Sequence, residues 1–313
     1  MTDPISPESP EARRHGFHQR LSDLGVTDRM IVVTKRVAVG AFNEGFTHAG
    51  NLAYLSLVTL FPFFIVAAAI ARLFGRTGDG LQAVSAFLQT VPPEVANLLR
   101  PAIIEVLEGR SGSLLWLGAL VGLWTTSGFI ETIRSILRQA YGIPSVTPFW
   151  RLKLAAIGMV IASVVLAMMA FSFQVILLGV EQFIWRFLPF ASGTAQILSI
   201  SRIAPAIALF AAMYILFYTL TPSRYRKSGC PKWPGPAFVT AWWMGCTTAL
   251  PFVIGTFGGY GLTYGSLAGV MVALIFFFLI GFGVVIGAEL NAALAETPDN
   301  GLEKPQEGPE GKT

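Results

Sequence analysis

Glu44, His48, Asn51 and Leu55 are spaced four, three and four residues apart, which sets them on one face of a helix. Ser127, Glu131, Arg134 and Arg138 repeat the pattern in a second segment, and Glu289 with Asn291 closes a third, "LIGFGVVIGAELNAALAE". Carboxylates, guanidinium groups, an imidazole and amides on helix faces can move ions, hold a polar ligand, or tie helices together through interhelical bonds. They fit metal-dependent hydrolysis poorly. The histidines are His15, His18 and His48, no His/Asp cluster has ligand spacing, and Cys230 and Cys246 stand in separate segments. No metal, cofactor or disulfide is expected, and without a Walker motif neither is ATP coupling within the chain.

The segments that carry these residues are lipid-like. Apolar residues make up 53% of the chain and charged ones 13%, with a mean hydropathy of +0.61. Crossing ~30 Å of hydrocarbon takes about 20 apolar residues in a helix, and backbone groups in lipid must be bonded internally. Six runs qualify, at roughly 50–74, 113–133, 155–180, 203–221, 237–257 and 267–290. The expected fold is therefore all-α, an integral membrane bundle of six transmembrane helices within residues 30–295. Residues 1–29 are polar and lack the apolar core of a signal peptide, so they are expected to stay on as a disordered cytoplasmic terminus. The Pro-, Gly- and Glu-rich residues 296–313 are expected to be a disordered cytoplasmic tail.

Six spans divide the flanking segments into two sets, and sixteen of the 22 Lys and Arg fall on the side of the termini and of residues 134–153 and 222–236. By the positive-inside rule both termini are cytoplasmic, and topology accounts for the net charge of +4. No aromatic RNA-binding motif accompanies the basic residues, so no nucleic-acid partner is expected. Between the first two spans, Leu81, Val84, Leu88 and Val91, then Val95, Leu98, Leu99, Ile103 and Val106, recur at helical spacing around Pro92 and Pro93. This predicts a periplasmic amphipathic helical hairpin that lies on the membrane or caps the bundle's outer mouth.

Depth places the polar faces at the cytoplasmic ends of their spans. Glu289 lies about 20 residues past Leu267, near the boundary rather than the midplane. A carboxylate near a helix C-terminus opposes the macrodipole, so Glu131 and Glu289 each call for a cation, and Arg134 or Arg138 is available. One cytoplasmic-side cluster of Glu289 and Asn291 with the Glu131/Arg134 and His48/Asn51 faces is expected. It serves either to fix helix register or to form a substrate path. Pro62 and Pro251 fall inside spans and free backbone carbonyls, and Gly283–Gly287 is among the spacings that let helices approach closely.

From about residue 30 to 296 the chain resembles the YihY/BrkB family of bacterial inner-membrane proteins. The resemblance rests on "AYLSLVTLFPFF", which holds Pro62, on "LWTTSGFIETIRSILRQAYG", which holds Trp124 and Ser127, and on "TYGSLAGVMVALIFFFLIGFGVVIGAELNA". In the last, Tyr264, Gly265, Ser266, Glu289, Leu290 and Asn291 match; at Arg138 the chain departs from a family preference for Asn. The resemblance implies an inner-membrane location. Members have carried the label ribonuclease BN, and others have been linked to virulence or envelope lipid export. With no metal-ligand cluster in the sequence, the nuclease label is not expected to hold. The expectation is a transporter or lipid-translocating protein whose partners are membrane lipids. The alternative is a non-transporting scaffold for envelope proteins, and a homo-oligomer fits either.

Overall fold

The computed structural model describes residues 28–73, 88–89, 91–109, 113–143, 148–166, 198–226, 230–256 and 267–296. Its longer helices are α1 (Asp28–Leu73), α2 (Pro93–Gly109), α3 (Ser113–Ala140), α4 (Phe149–Leu166), α5 (Leu198–Leu220), α7 (Pro234–Thr256) and α8 (Ala268–Glu296); α6 (Ser223–Arg226) is a single turn. Among the described residues no strand forms. Four helices are long and apolar enough to cross a bilayer: Arg29–Ala67 within α1, α4, α7 and α8. The second and fourth expected spans also run as continuous helices, α3 and α5.

One boundary moves substantially. The first span was expected to begin near residue 50, yet α1 begins at Asp28 and is 46 residues long, about 69 Å at 1.5 Å per residue. Residues 28–49 mix charged and apolar side chains, so they read poorly as a lipid-crossing run; they are helical because they pair with another helix. Gly40 faces Glu289, Gly45 faces Phe282 and Val285, and Gly281 lies against Ala49 and Leu52. Residue numbers climb on α1 as they fall on α8, so the two run antiparallel. On another side of α1, a Cβ at Gly122 of α3 would lie 2.8 Å from the Pro62 carbonyl oxygen. Glycine there lets the two backbones meet at the proline.

Gly283 and Gly287 perform the same service between α8 and α7. A Cβ at Gly283 would enter the Trp242 ring, and one at Gly287 would meet Val239. With the backbones so close, Trp242 Nε1 donates to the Leu279 carbonyl at 2.7 Å. Trp242→Phe keeps the aromatic bulk and removes the donor. Because Leu279 still has its own helical bond, the expected loss is only about 1 kcal/mol, read as a small drop in the melting temperature of the detergent-solubilised protein.

Of the expected hairpin, the second arm is α2; most of the first lies outside the described residues. Val95, Leu99 and Ile103, each at most 1% exposed, pack with Phe64 of α1, Leu250 of α7 and Val272, Ala273 and Phe276 of α8. The apolar stripe of α2 is thus spent on the bundle itself. At the other end a second core joins Leu52, Leu137 and Tyr141 to Phe217, Val239, Val284 and Ala288. Val160 and Val164 of α4 pack on Ile65, Val66 and Ala69 of α1.

Candidate functional site

The sequence points to one polar cluster; the structure forms two, at different levels. The first is built where α3 stops. Gly142 adopts φ +64°, Ile143 N–H donates to the Arg138 carbonyl at 3.0 Å and Gly142 N–H to the Gln139 carbonyl at 2.9 Å. This Schellman turn satisfies two terminal carbonyls. The Ala140 carbonyl instead accepts from Arg36 Nη2 at 3.2 Å. The same guanidinium donates to Glu289 at 3.0 Å and, through two nitrogens, to Glu296 at 3.1 and 3.3 Å. One side chain of α1 therefore joins the C-terminal ends of α3 and α8. The Glu289 side chain is 12% exposed, and a Cβ at Gly40, one turn from Arg36, would collide with its carboxylate.

This corrects the expected cation. Arg36, not Arg134 or Arg138, compensates Glu289, because the antiparallel pairing of α1 with α8 delivers it from the far end of the chain. The signal was present: Arg36, Gly40, Glu44 and His48 extend the first polar stripe backward at steps of four. The stripe taken from Glu44 onward leaves Arg36 out.

Farther along that stripe, His48 Nε2 lies 2.8 Å from Gln139 Oε1; an amide oxygen only accepts, so this nitrogen carries the proton. Gln139 Nε2 in turn donates to Glu44. Asn51 is exposed and stays outside this group. Asn291 also leaves the expected cluster, for a different reason. It is 2% exposed, its Oδ1 accepts from Gly235 N–H at 2.8 Å, and its Nδ2 donates to the Lys232 carbonyl at 3.0 Å. Gly235 is in the first turn of α7, where N–H groups lack helical partners, and Trp233 before Pro234 offers no side-chain acceptor. Asn291 is a cap supplied by another helix.

The second level lies on α3. Glu131 precedes Gln139 by eight residues, about 12 Å along the axis. Lys153 of α4, which the sequence reading did not assign to it, pairs with this carboxylate: Lys153 Nζ is 3.5 Å from Glu131 Oε1 and 4.6 Å above the Trp124 ring. Arg134 donates to the Leu152 carbonyl at 3.1 Å and points a second nitrogen at Met159 sulfur, 3.8 Å away. Glu131, Arg134, Arg138, Gln139, Gly142 and Leu152 line an open cavity of about 560 Å³. Ser127 is fully buried and donates to the Trp124 carbonyl in its own helix, so it takes no part. Near the helix end, burial pushes the Tyr141 hydroxyl up to about 12, and its ring packs 4.8 Å from that of Tyr225.

Leu290 is half-buried beside Glu289, while Tyr264, Gly265 and Ser266 lie outside the described residues. Among the described residues, no three His, Cys, Asp or Glu side chains gather as metal ligands.

The sequence pattern for virulence factor BrkB matches residues 41–310. The chain belongs to this family. A ribonuclease-like protein of Bacillus subtilis, YfkH, is 27% identical to this BrkB-family chain over 254 residues, covering 80% of the chain and 90% of that relative. A UPF0761 membrane protein of Vibrio campbellii is 23% identical, covering 80% and 77%. One of Pseudoalteromonas translucida is 24% identical, covering 83% of each. No solved structure matches. The UPF0761 membrane proteins among these relatives and the apolar helices make the chain a membrane protein. Within it, Glu289, Asn291 and Glu296 fall inside the matched range and Arg36 lies before it.

Proposed function

We propose that this BrkB-family protein is a six-span transporter of the bacterial inner membrane, with both termini cytoplasmic, that translocates membrane lipids. The observation that carries the reading is the open cavity at the end of α3. Charged groups line it together with the apolar Ile143 and Leu152, while Phe149, Trp150 and Leu154, on the same helix as Leu152, are each at least 55% exposed and offer aromatic and apolar surface. Such a junction suits an amphiphile, whose head needs polar contacts and whose chains need apolar ones. α2, docked at the opposite end, guards the exit.

The name of the Bacillus relative is not carried over as an activity, because the sequence supplies no cluster of metal-ligand residues for phosphodiester hydrolysis. Reporters fused at residue 145 or 228 are expected to remain cytoplasmic. Purified protein in vesicles is expected to move fluorescent lipid between leaflets faster than empty vesicles do. No transfer of lipid or small solutes under any gradient, with a stoichiometric envelope partner on purification, would favour a scaffold instead.

A further inference from the structure

We propose that α1 pairs with the α1 of a second copy of this chain, through a seam of Thr47, Asn51, Tyr54 and Val58 centred on an amide contact between the two Asn51 side chains. The pairing requires only a membrane protein and is independent of what that protein transports. The four residues follow one another at steps of four, three and four, the spacing of a two-helix seam. All four are exposed, Tyr54 at 60% and Val58 at 43%, although other faces of α1 are packed on α8 and α3. Beside Asn51, Gly50 is open: a Cβ there would meet nothing within 4 Å, which leaves room for another backbone to approach.

Depth decides what this face can tolerate. Gly281, near the midpoint of the 29-residue α8, lies against Ala49 and Leu52, so Asn51 stands at the level of the middle of that apolar helix. An exposed amide there finds no partner among acyl chains, and leaving it without one is costly. Copies of one membrane protein insert the same way up, so a two-fold axis relating them runs along the membrane normal and brings like residues together at one level. That symmetry selects the chemistry. Like charges would repel, whereas an amide carries both donor and acceptor and so complements itself; a single amide in a helix seam also fixes the register of the pair. Toward the first turn of α1 the seam stops before Glu44, where like carboxylates would meet and where Gln139 of α3 already donates to the side chain.

The test reads pairing as energy transfer between labelled full-length chains, diluted progressively in vesicles of phosphatidylcholine and phosphatidylglycerol. The wild type is expected to form dimers that dissociate on dilution. Asn51→Leu should weaken them roughly tenfold, the scale of an interhelical amide bond in lipid, and Asn51→Gln should keep most of the affinity. Gly50→Leu should abolish pairing while the monomer stays folded, because nothing in its own bundle meets that position. In a background of Cys230→Ala and Cys246→Ala, oxidation in the membrane should join Tyr54→Cys or Val58→Cys chains into dimers and leave Phe252→Cys, 79% exposed on α7, unjoined.

A monomer at every density, an unchanged dimer in Asn51→Leu or Gly50→Leu, or cross-linking at Phe252→Cys as efficient as at Tyr54→Cys overturns the proposal. So does rapid reaction of Asn51→Cys with a charged thiol reagent, which would reveal a water-filled path along this face in place of a helix. A dimer that moves no lipid upholds the seam and defeats the transport reading, whereas lipid transfer by a strict monomer does the reverse.

Discussion

Asn291→Leu is expected to lower stability by roughly 2–5 kcal/mol, since each buried polar group left without a partner costs about 1–3. Leucine nearly matches asparagine in volume, so the site stays filled. What is lost is the acceptor for Gly235 N–H and the donor for the Lys232 carbonyl, in a position 2% exposed. Asn291→Asp should cost less at α7, because a carboxylate still accepts from Gly235 and its charge suits a helix N-terminus; it fails only toward Lys232. Thermal unfolding in detergent orders the three proteins. Cys230, two residues before Lys232 and half-buried, supplies a local readout: thiol labelling should accelerate in Asn291→Leu. Unchanged melting and labelling would show that the cap does not hold this joint.

Arg36→Met is the second large effect, expected at about 2–4 kcal/mol, because removing one partner strands the charge of the other. The Glu289 side chain is 12% exposed and keeps little water in compensation, whereas Glu296, at 43%, can rehydrate. The penalty therefore resides mainly in Glu289. Arg36→Met with Glu289→Gln should recover most of the loss, while Arg36→Met with Glu296→Gln should recover little. Arg36→Lys should fall between, since an ammonium cannot present a planar fork to two carboxylates and the Ala140 carbonyl together. Equal rescue by both second substitutions would show that the exposed pair carries the clamp.

The last two expected runs were legible to within a residue at the ends that face each other and to within three and six residues at their outer ends: 237–257 and 267–290 against Pro234–Thr256 and Ala268–Glu296. A long apolar run in a helix is a local property, and length with composition suffices to find it. The start of α1 was not legible because residues 28–49 take their helicity from α8 and α3 rather than from lipid. The same physics explains the site. Stripe spacing put Glu44 with His48, and Glu131 with Arg134, on shared faces, because both pairs lie within one helix. Which cation meets which carboxylate depends on the register between helices, so Lys153 showed up in the sequence only as flanking positive charge, and Arg36 only as a further step of its own helix's stripe. Asn291 looked like a member of a charged cluster; its partners, Lys232 and Gly235, became visible only when α7 was set beside α8.

The length of α1 has a mechanical consequence. This one rod carries Arg36 near its first residues and Phe64 near its last, and so touches both the charge clamp and the seat of α2. Sliding or tilting it to loosen either contact displaces the other, some 40 Å away along a helix rising 1.5 Å per residue. The two mouths of the bundle share a single strut, interrupted at Pro62, where the backbone lacks a donor and bending meets the least resistance.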